Sequence, residues 1–87
     1  MRSFKLKISS PNGDLFFGEI KSIRLRGTEG ELMVLCDHTP FVTAVKPCTC
    51  KIILDDDTEK AAHTEGGILT VSKEMTVFLS GHFEWET

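Results

Sequence analysis

The sequence predicts an all-β domain, built as an antiparallel sandwich or barrel of about eight to ten short strands. Two observations support this fold class: apolar residues alternate with polar ones over short segments, and turn-forming residues return about every 8–12 positions. No stretch repeats apolar residues at helical spacing as clearly as these segments alternate. The 87 residues fit one domain, residues 1–87, without a visible linker, internal repeat or low-complexity tract.

The first two strands are predicted from alternating apolar residues, and the second strand changes the parity of that alternation. Residues 4–8 alternate apolar and polar side chains, which indicates one buried face and one solvated face. Phe16 and Ile20 then stand at even positions, whereas Ile23 and Leu25 stand at odd ones. Because side chains in a strand alternate with period two, we predict a bulge between Ile20 and Ile23, where the strand passes from one sheet to another.

The stretch from residue 27 to residue 47 predicts a tight turn, two strands and a polar corner between them. Gly27 and Gly30 mark the turn, because glycine adopts backbone conformations that other residues avoid. Residues 32–35 are apolar on both parities, which predicts a strand that is buried on both faces or that lies beneath a partner. Pro40 marks the start of the next strand, since proline cannot donate to a sheet ladder.

The rest of the chain predicts more strands separated by turns. The turns contain the acidic run at 55–57, the Gly66-Gly67 pair and residues 72–74. The strand-like segments between them are residues 48–54, 60–64, 68–71, 75–79 and 83–85.

Composition excludes several classes of function. The net charge is −3, with ten basic and thirteen acidic residues, and no dense Lys/Arg cluster indicates nucleic-acid binding. There is no run of about 18 apolar residues and no apolar signal-peptide core, so we expect a cytoplasmic chain without a membrane span. Five basic residues could share one face, although a solvated strand surface is the preferred interpretation: Lys5, Lys7, Lys21, Arg24 and Arg26.

The candidate chemical groups favour structural interpretations over catalysis, cofactor binding or metal binding. His38 follows Asp37, but no nucleophile motif surrounds the pair. Cys48 and Cys50 lack the two-residue gap of zinc knuckles, and on one strand they face the same way, which suits a core. The acidic run at 55–57 lacks the order of a calcium-binding loop, and no phosphate-binding glycine loop occurs. The odd count of three cysteines argues against a disulfide framework.

Five sequence blocks stand in collinear order across nearly the whole chain. They are PNG with FFGE at 11–13 and 16–19, GTEGEL at 27–32, HTPFVTAVKP at 38–47, GGILTV at 66–71 and MTVFL at 75–79. Together these blocks resemble the epsilon subunit of F-type ATP synthases. The sequence departs from the family at Met33, at Cys36-Asp37 and at Cys48, where the family usually has glycine, a Pro-Gly pair and glycine.

The resemblance implies a flattened β-sandwich that binds the gamma subunit and the membrane rotor ring of the synthase. It implies a central-stalk subunit that helps couple ion flow to ATP synthesis or hydrolysis, without catalysis or a cofactor of its own. The location implied is the cytoplasmic side of the cell membrane, as a peripheral part of the complex, and the isolated chain is expected to be monomeric. The partner-contact residues implied are Glu31, Asp37, His38, Thr39, Val42 and Thr43.

Other interpretations remain open from the residues alone. Glu31 is most simply a solvated acid that keeps a strand edge from aggregating. A small β-sandwich module for peptide or carbohydrate would need exposed aromatic rings, of which the chain has few candidates. A thiol-redox or metal enzyme would have to use Cys36, Cys48 and Cys50.

The resemblance also directs attention to the end of the sequence. The family typically continues past the sandwich into a helical hairpin, whereas this sequence ends at Thr87 without a segment of helical periodicity. We therefore expect this chain to support assembly and coupling, but neither helix-mediated inhibition nor ATP sensing.

Overall fold

The computed structural model describes residues 3–86, which form nine β-strands. In chain order these are β1 (Phe4–Ser10), β2 (Gly13–Gly27), β3 (Gly30–Leu35), β4 (Phe41–Val45), β5 (Cys48–Leu54), β6 (Glu59–Thr64), β7 (Gly67–Val71), β8 (Thr76–Ser80) and β9 (Phe83–Trp85). The all-β prediction is confirmed, and these residues contain no helix that could cross a membrane. Residues 1, 2 and 87 of the predicted domain lie outside the described residues.

The strands form two layers that share the long strand β2. The first layer has the order β4, β7, β8, β1 and the N-terminal part of β2, and the second has the order β3, the C-terminal part of β2, β5, β6 and β9. Neighbouring strands pair antiparallel, except that β1 and β8 pair in parallel. A bridge between Gly27 and Val45 joins the layers where β2 ends. The predicted β-sandwich is confirmed.

Strand β2 changes its buried face where the sequence predicted a bulge. Ile20 and Ser22 are buried on one parity, and Ile23 and Leu25 are buried on the other. The pairing of β2 with β5 shifts register between Ile20 and Ser22. One extra residue in a ladder bends the strand and reverses which side chains face inward. The bulge therefore lets one strand supply core residues to both layers.

The core is apolar and closed at one end by aromatic rings. Among residues 3–86, fourteen apolar residues are buried between the layers, and burial of each large side chain contributes roughly 1.5–3 kcal/mol. Phe83 packs edge-on against Phe78 and Trp85 at centroid distances of 6.3 and 5.0 Å, and Phe16 approaches Trp85 at 6.0 Å. Phe16 and Phe78 belong to the first layer and the other two rings to the second, so this cluster ties the layers together.

The edge strand β3 departs from one of the two expectations for its apolar run. Val34 is buried and Leu32 is half-buried, but Met33 and Leu35 are exposed. Burial on both faces is therefore wrong within the single chain. The reason is that within the described part of the chain β3 pairs with β2 alone, at the edge of the second layer, and no further layer covers its outer face. That the strand lies beneath a partner stays a prediction.

Candidate partner-binding site

The polar corner between β3 and β4 is fixed by short local contacts. Asp37 has a φ of 67°, the left-handed conformation that Asp tolerates better than most residues. The backbone N–H of His38 donates to the Leu35 carbonyl oxygen at 3.2 Å and closes the turn. The Nδ1 of His38 donates to the Thr39 carbonyl oxygen at 2.7 Å, and its ring packs 4.9 Å from the ring of Phe41. The corner thus presents exposed polar groups in a defined conformation.

At the other end of β3, Glu31 lies beside a shallow slot. The Oε1 atom of Glu31 is 3.6 Å from the Nε atom of Arg24. The Arg24 side chain is half exposed, and the Glu31 side chain is about two-thirds exposed. The slot has a volume of about 440 Å³, between the β2–β3 turn and β4. Its lining includes Glu31, Val42 and Thr43. The turn depends on Gly30, whose φ of 122° suits glycine.

The six predicted contact residues therefore form two groups rather than one. Glu31, Val42 and Thr43 line the slot, whereas Asp37, His38 and Thr39 line a separate depression of about 760 Å³ at the corner. Strand β3 has six residues, so its two ends lie about 17 Å apart. All six residues are exposed apart from the half-buried Thr43. A partner that touches both groups has to span the length of β3.

Sequence reasoning missed an exposed apolar surface on the outer side of the first layer. We call it the apolar face, and it consists of Phe17, Val42, Ile68 and Leu79, which are 64%, 66%, 43% and 51% exposed. Of these, only Val42 was among the predicted contacts. The available signal was apolar residues on the parity opposite to the core, as at Phe17 beside Phe16 and at Leu79 beside Phe78.

Strand register places the four residues of the apolar face on one side of the first layer, in two adjacent rows. Across the first layer, Phe17 faces Lys7, Lys7 faces Val77, Val77 faces Thr70, and Thr70 faces Val42. In the adjacent row, Leu79 faces Ile68, which in turn faces Ala44. Lys7 and Thr70 interrupt the first row, but exposed apolar residues grouped on one side of a small domain indicate a site for another protein more than isolated ones do.

The cysteines occupy packing positions. Cys50 is buried, and burial together with the nearby Cys48 raises the pKa of its thiol to about 12. The thiol of Cys36 donates to the Ser3 carbonyl oxygen at 3.4 Å, and the sulfur of Cys48 accepts from the Arg26 N–H at 3.4 Å. Among residues 3–86, no group of three or more His, Cys, Asp or Glu side chains converges to hold a metal ion. The predicted core position of Cys50 is confirmed.

The Cys50 thiol is expected to make the fold less stable at high pH. In the unfolded chain the thiol loses its proton near pH 9.0, whereas in the folded chain it keeps the proton to about pH 12. Between those values the unfolded state binds fewer protons, so the free energy of unfolding should fall with pH by up to about 1.4 kcal/mol per unit from this group. Urea titrations from pH 8 to pH 10.5 measure the slope. Cys50→Val should reduce it, and an unchanged slope would contradict the assignment.

The aromatic residues do not form a sugar platform. Within residues 3–86, Phe17 is the one exposed aromatic ring, and the single tryptophan, Trp85, is packed between rings with the Nζ atom of Lys60 at 4.2 Å from its ring centroid. Carbohydrate sites stack sugars on exposed rings, and one isolated phenylalanine offers little for this. The geometry favours the protein-binding interpretation.

These features describe a small β-sandwich with exposed polar groups at both ends of β3 and exposed apolar residues on its first layer. The chain belongs to the family described as the ATP synthase delta/epsilon chain, beta-sandwich domain, whose model matches residues 3–86. The family resemblance inferred from the five sequence blocks is thereby confirmed.

Two curated relatives match most of the chain. It is 40% identical over 83 residues to the sodium ion specific ATP synthase epsilon chain of Acetobacterium woodii, covering 95% of this chain and 62% of that one. It is 38% identical over 84 residues to the ATP synthase epsilon chain of Clostridium novyi, covering 97% of this chain and 64% of that one. The chain thus spans a little under two thirds of the length of these relatives.

Two solved structures share the fold. A chain in the Euglena gracilis mitochondrial ATP synthase, a structure of OSCP, F1 and c-ring, superposes with a TM-score of 0.89 at 18% identity, over 95% of this chain and 53% of that one. A chain in the central stalk and c-ring structure of the Tetrahymena thermophila mitochondrial ATP synthase gives 0.79 at 11% identity, over 94% and 66%. At these identities the likeness concerns the fold.

Proposed function

We propose that this chain is a central-stalk subunit of an F-type ATP synthase, which binds the gamma subunit and the membrane rotor ring and couples ion translocation to ATP synthesis or hydrolysis. The observation that carries the proposal is the family match over residues 3–86, together with about 40% identity to epsilon chains. The location that follows is the cytoplasmic side of the membrane, as a peripheral part of the complex. Catalysis would belong to other subunits.

The apolar face is the surface we assign to the gamma subunit. Its four large side chains already lie exposed on a paired sheet, so little ordering is needed before a partner covers them. Removal of apolar surface from water contributes about 25 cal/mol per Å², which makes this face the strongest source of affinity on the first layer. Val42 connects the face to the slot beside Glu31.

The corner and Glu31 are the groups we assign to the rotor ring. Exposed charges of this kind orient a partner and raise the rate of encounter more than they increase affinity. These two assignments are compatible, because buried apolar area would hold the domain on the gamma subunit while the polar contacts would set its orientation on the rotor ring. A closed sandwich, in which β2 belongs to both layers, can transmit torque without a hinge.

Substitution of the polar contacts tests their role in docking. We expect Glu31→Gln and His38→Ala to change the free energy of unfolding by no more than about 0.5 kcal/mol, because both side chains are exposed. Affinity for a purified gamma–rotor-ring assembly should fall by about threefold or more, as expected for loss of an interfacial charge or ring contact. Glu59→Gln removes the same charge from β6, outside the slot and the corner, and serves as the control. Unchanged affinity for both contact variants would contradict the assignment of these residues.

A further inference from the structure

The basic residues that the sequence could place on one face lie in three different environments. Lys5 and Lys7 belong to the outer side of the first layer, and Lys21 pairs with Asp57 at 2.6 Å. Arg24 and Arg26 instead project from the outer side of the second layer, where Lys51 of β5 joins them. The shared face considered from the sequence is therefore wrong. We call Arg24, Arg26 and Lys51 the cationic patch.

The cationic patch is not neutralised within the described chain. Arg24 and Lys51 are direct cross-strand partners, and like charges in that position repel each other. Glu31, 3.6 Å from Arg24, is the one carboxylate that residues 3–86 place within ion-pair distance of the three cations. Glu59 lines the depression beside Arg24 and Lys51, so with Glu31 counted as well the patch carries an excess of about one positive charge on a chain whose net charge is −3. Such a local reversal of sign attracts an anionic group.

Exposed apolar side chains border the cationic patch along β3. Met33 and Leu35 are 43% and 48% exposed, and Met33 faces Arg24 directly in the ladder. Met33, Arg24 and Lys51 thus form one row across three strands. Shallow depressions of about 530 and 240 Å³ lie on the two sides of this row. The surface is open and elongated rather than a closed pocket.

We propose that the cationic patch, with Met33 and Leu35, binds an acidic and partly apolar polypeptide segment of a partner protein. Arginine guanidinium groups recognise carboxylates through paired N–H donors, and two of the three cations here are arginines. The apolar border would cover aliphatic side chains of the same segment. Arginines also bind phosphate, but a specific phosphate or nucleotide site usually adds a cradle of backbone N–H groups, and this surface is the face of regular strands. The site lies on the opposite layer from the apolar face, so the segment and a partner on that face can bind together, whereas Glu31 beside Arg24 would be shared with the rotor ring.

Fluorescence anisotropy with a synthetic peptide tests the site on the full 87-residue chain. The probe is a fluorescein-labelled twelve-residue peptide that combines glutamate with leucine, and a peptide with lysine in place of glutamate is its counterpart. We expect saturable binding of the acidic peptide alone, weakened as sodium chloride rises because salt screens exposed charges. Arg24→Gln combined with Lys51→Gln should weaken binding about fivefold or more, since each exposed ion pair contributes only modestly. Met33→Ser should weaken it to a smaller extent.

The control removes the same charge elsewhere. Lys5→Gln combined with Lys73→Gln changes two exposed lysines of the first layer and should leave peptide affinity unchanged. Circular dichroism checks that all variants keep the β spectrum. Absence of saturable binding, or equal weakening by both double variants, would overturn the proposal. Saturable binding of ATP or inorganic phosphate without peptide binding would overturn it too, because the site would then be specific for phosphate anions.

Discussion

Replacing Gly67 by alanine is expected to destabilise the fold by about 3 kcal/mol or more, a large part of the stability of a domain this small. A Cβ atom at Gly67 would lie 1.9 Å from the Leu79 carbonyl oxygen and 2.9 Å from the Cα atom of Ser80. Those atoms belong to the backbone of β8, so relief requires β7 and β8 to separate. Urea unfolding followed by the fluorescence of Trp85, the single tryptophan, measures the loss.

Gly81→Ala is the matched control for Gly67→Ala. Gly81 is exposed, and apart from its two chain neighbours no atom of the described residues would lie within 4 Å of a Cβ atom there. We expect the free energy of unfolding of Gly81→Ala to stay within about 0.5 kcal/mol of the value for the parent chain. Equal stability of the two alanine variants would show that β7 and β8 do not approach as closely as described.

Placing a carboxylate on the apolar face is expected to abolish most binding to the gamma subunit while leaving the fold intact. Val42→Asp and Leu79→Asp each change an exposed side chain, so the cost in folding should stay near the roughly 1 kcal/mol span of strand propensities. In the complex the same carboxylate would be buried without a partner, which costs several kcal/mol. Affinity measured by surface plasmon resonance should therefore fall at least about tenfold.

Thr49→Asp introduces the same charge on the second layer and controls for net charge. Thr49 is exposed on β5, away from the apolar face. We expect it to bind the gamma subunit as the parent chain does. If Thr49→Asp loses affinity while Val42→Asp and Leu79→Asp keep it, the gamma subunit is on the second layer and our assignment of faces is reversed.

The fold could be predicted from the sequence because buried positions alternate with period two within each strand segment. The parity change between Ile20 and Ile23 gave both the bulge and the passage of β2 between layers, and the structure confirms it. Turn residues predicted most strand limits. The parallel pairing of β1 with β8 was beyond such reasoning, because alternation within a strand carries no information about the direction of its neighbour.

The surface was harder to predict, because an apolar residue in the sequence does not show whether the chain itself or a partner covers it. The apolar run at 32–35 suggested burial on both faces of the strand. Met33 and Leu35 are instead exposed on the outer side of β3, at the edge of the second layer. The apolar face arises from residues of four strands far apart in sequence, and only the register brings Phe17, Leu79 and Val42 onto one surface. The predicted polar contacts were local in sequence, but they separate into two groups along β3.

Restoration of coupling tests the central claim most directly. An ATP synthase preparation from Acetobacterium woodii, whose epsilon chain is 40% identical over the matched region, would be depleted of that subunit and reconstituted into vesicles. The measurement is ATP-driven sodium uptake per ATP hydrolysed, with and without the 87-residue chain. We predict that the chain joins the complex and raises this ratio toward that of the undepleted enzyme. Failure to associate with the depleted complex, or association that leaves the ratio unchanged, would contradict a coupling role for this sandwich.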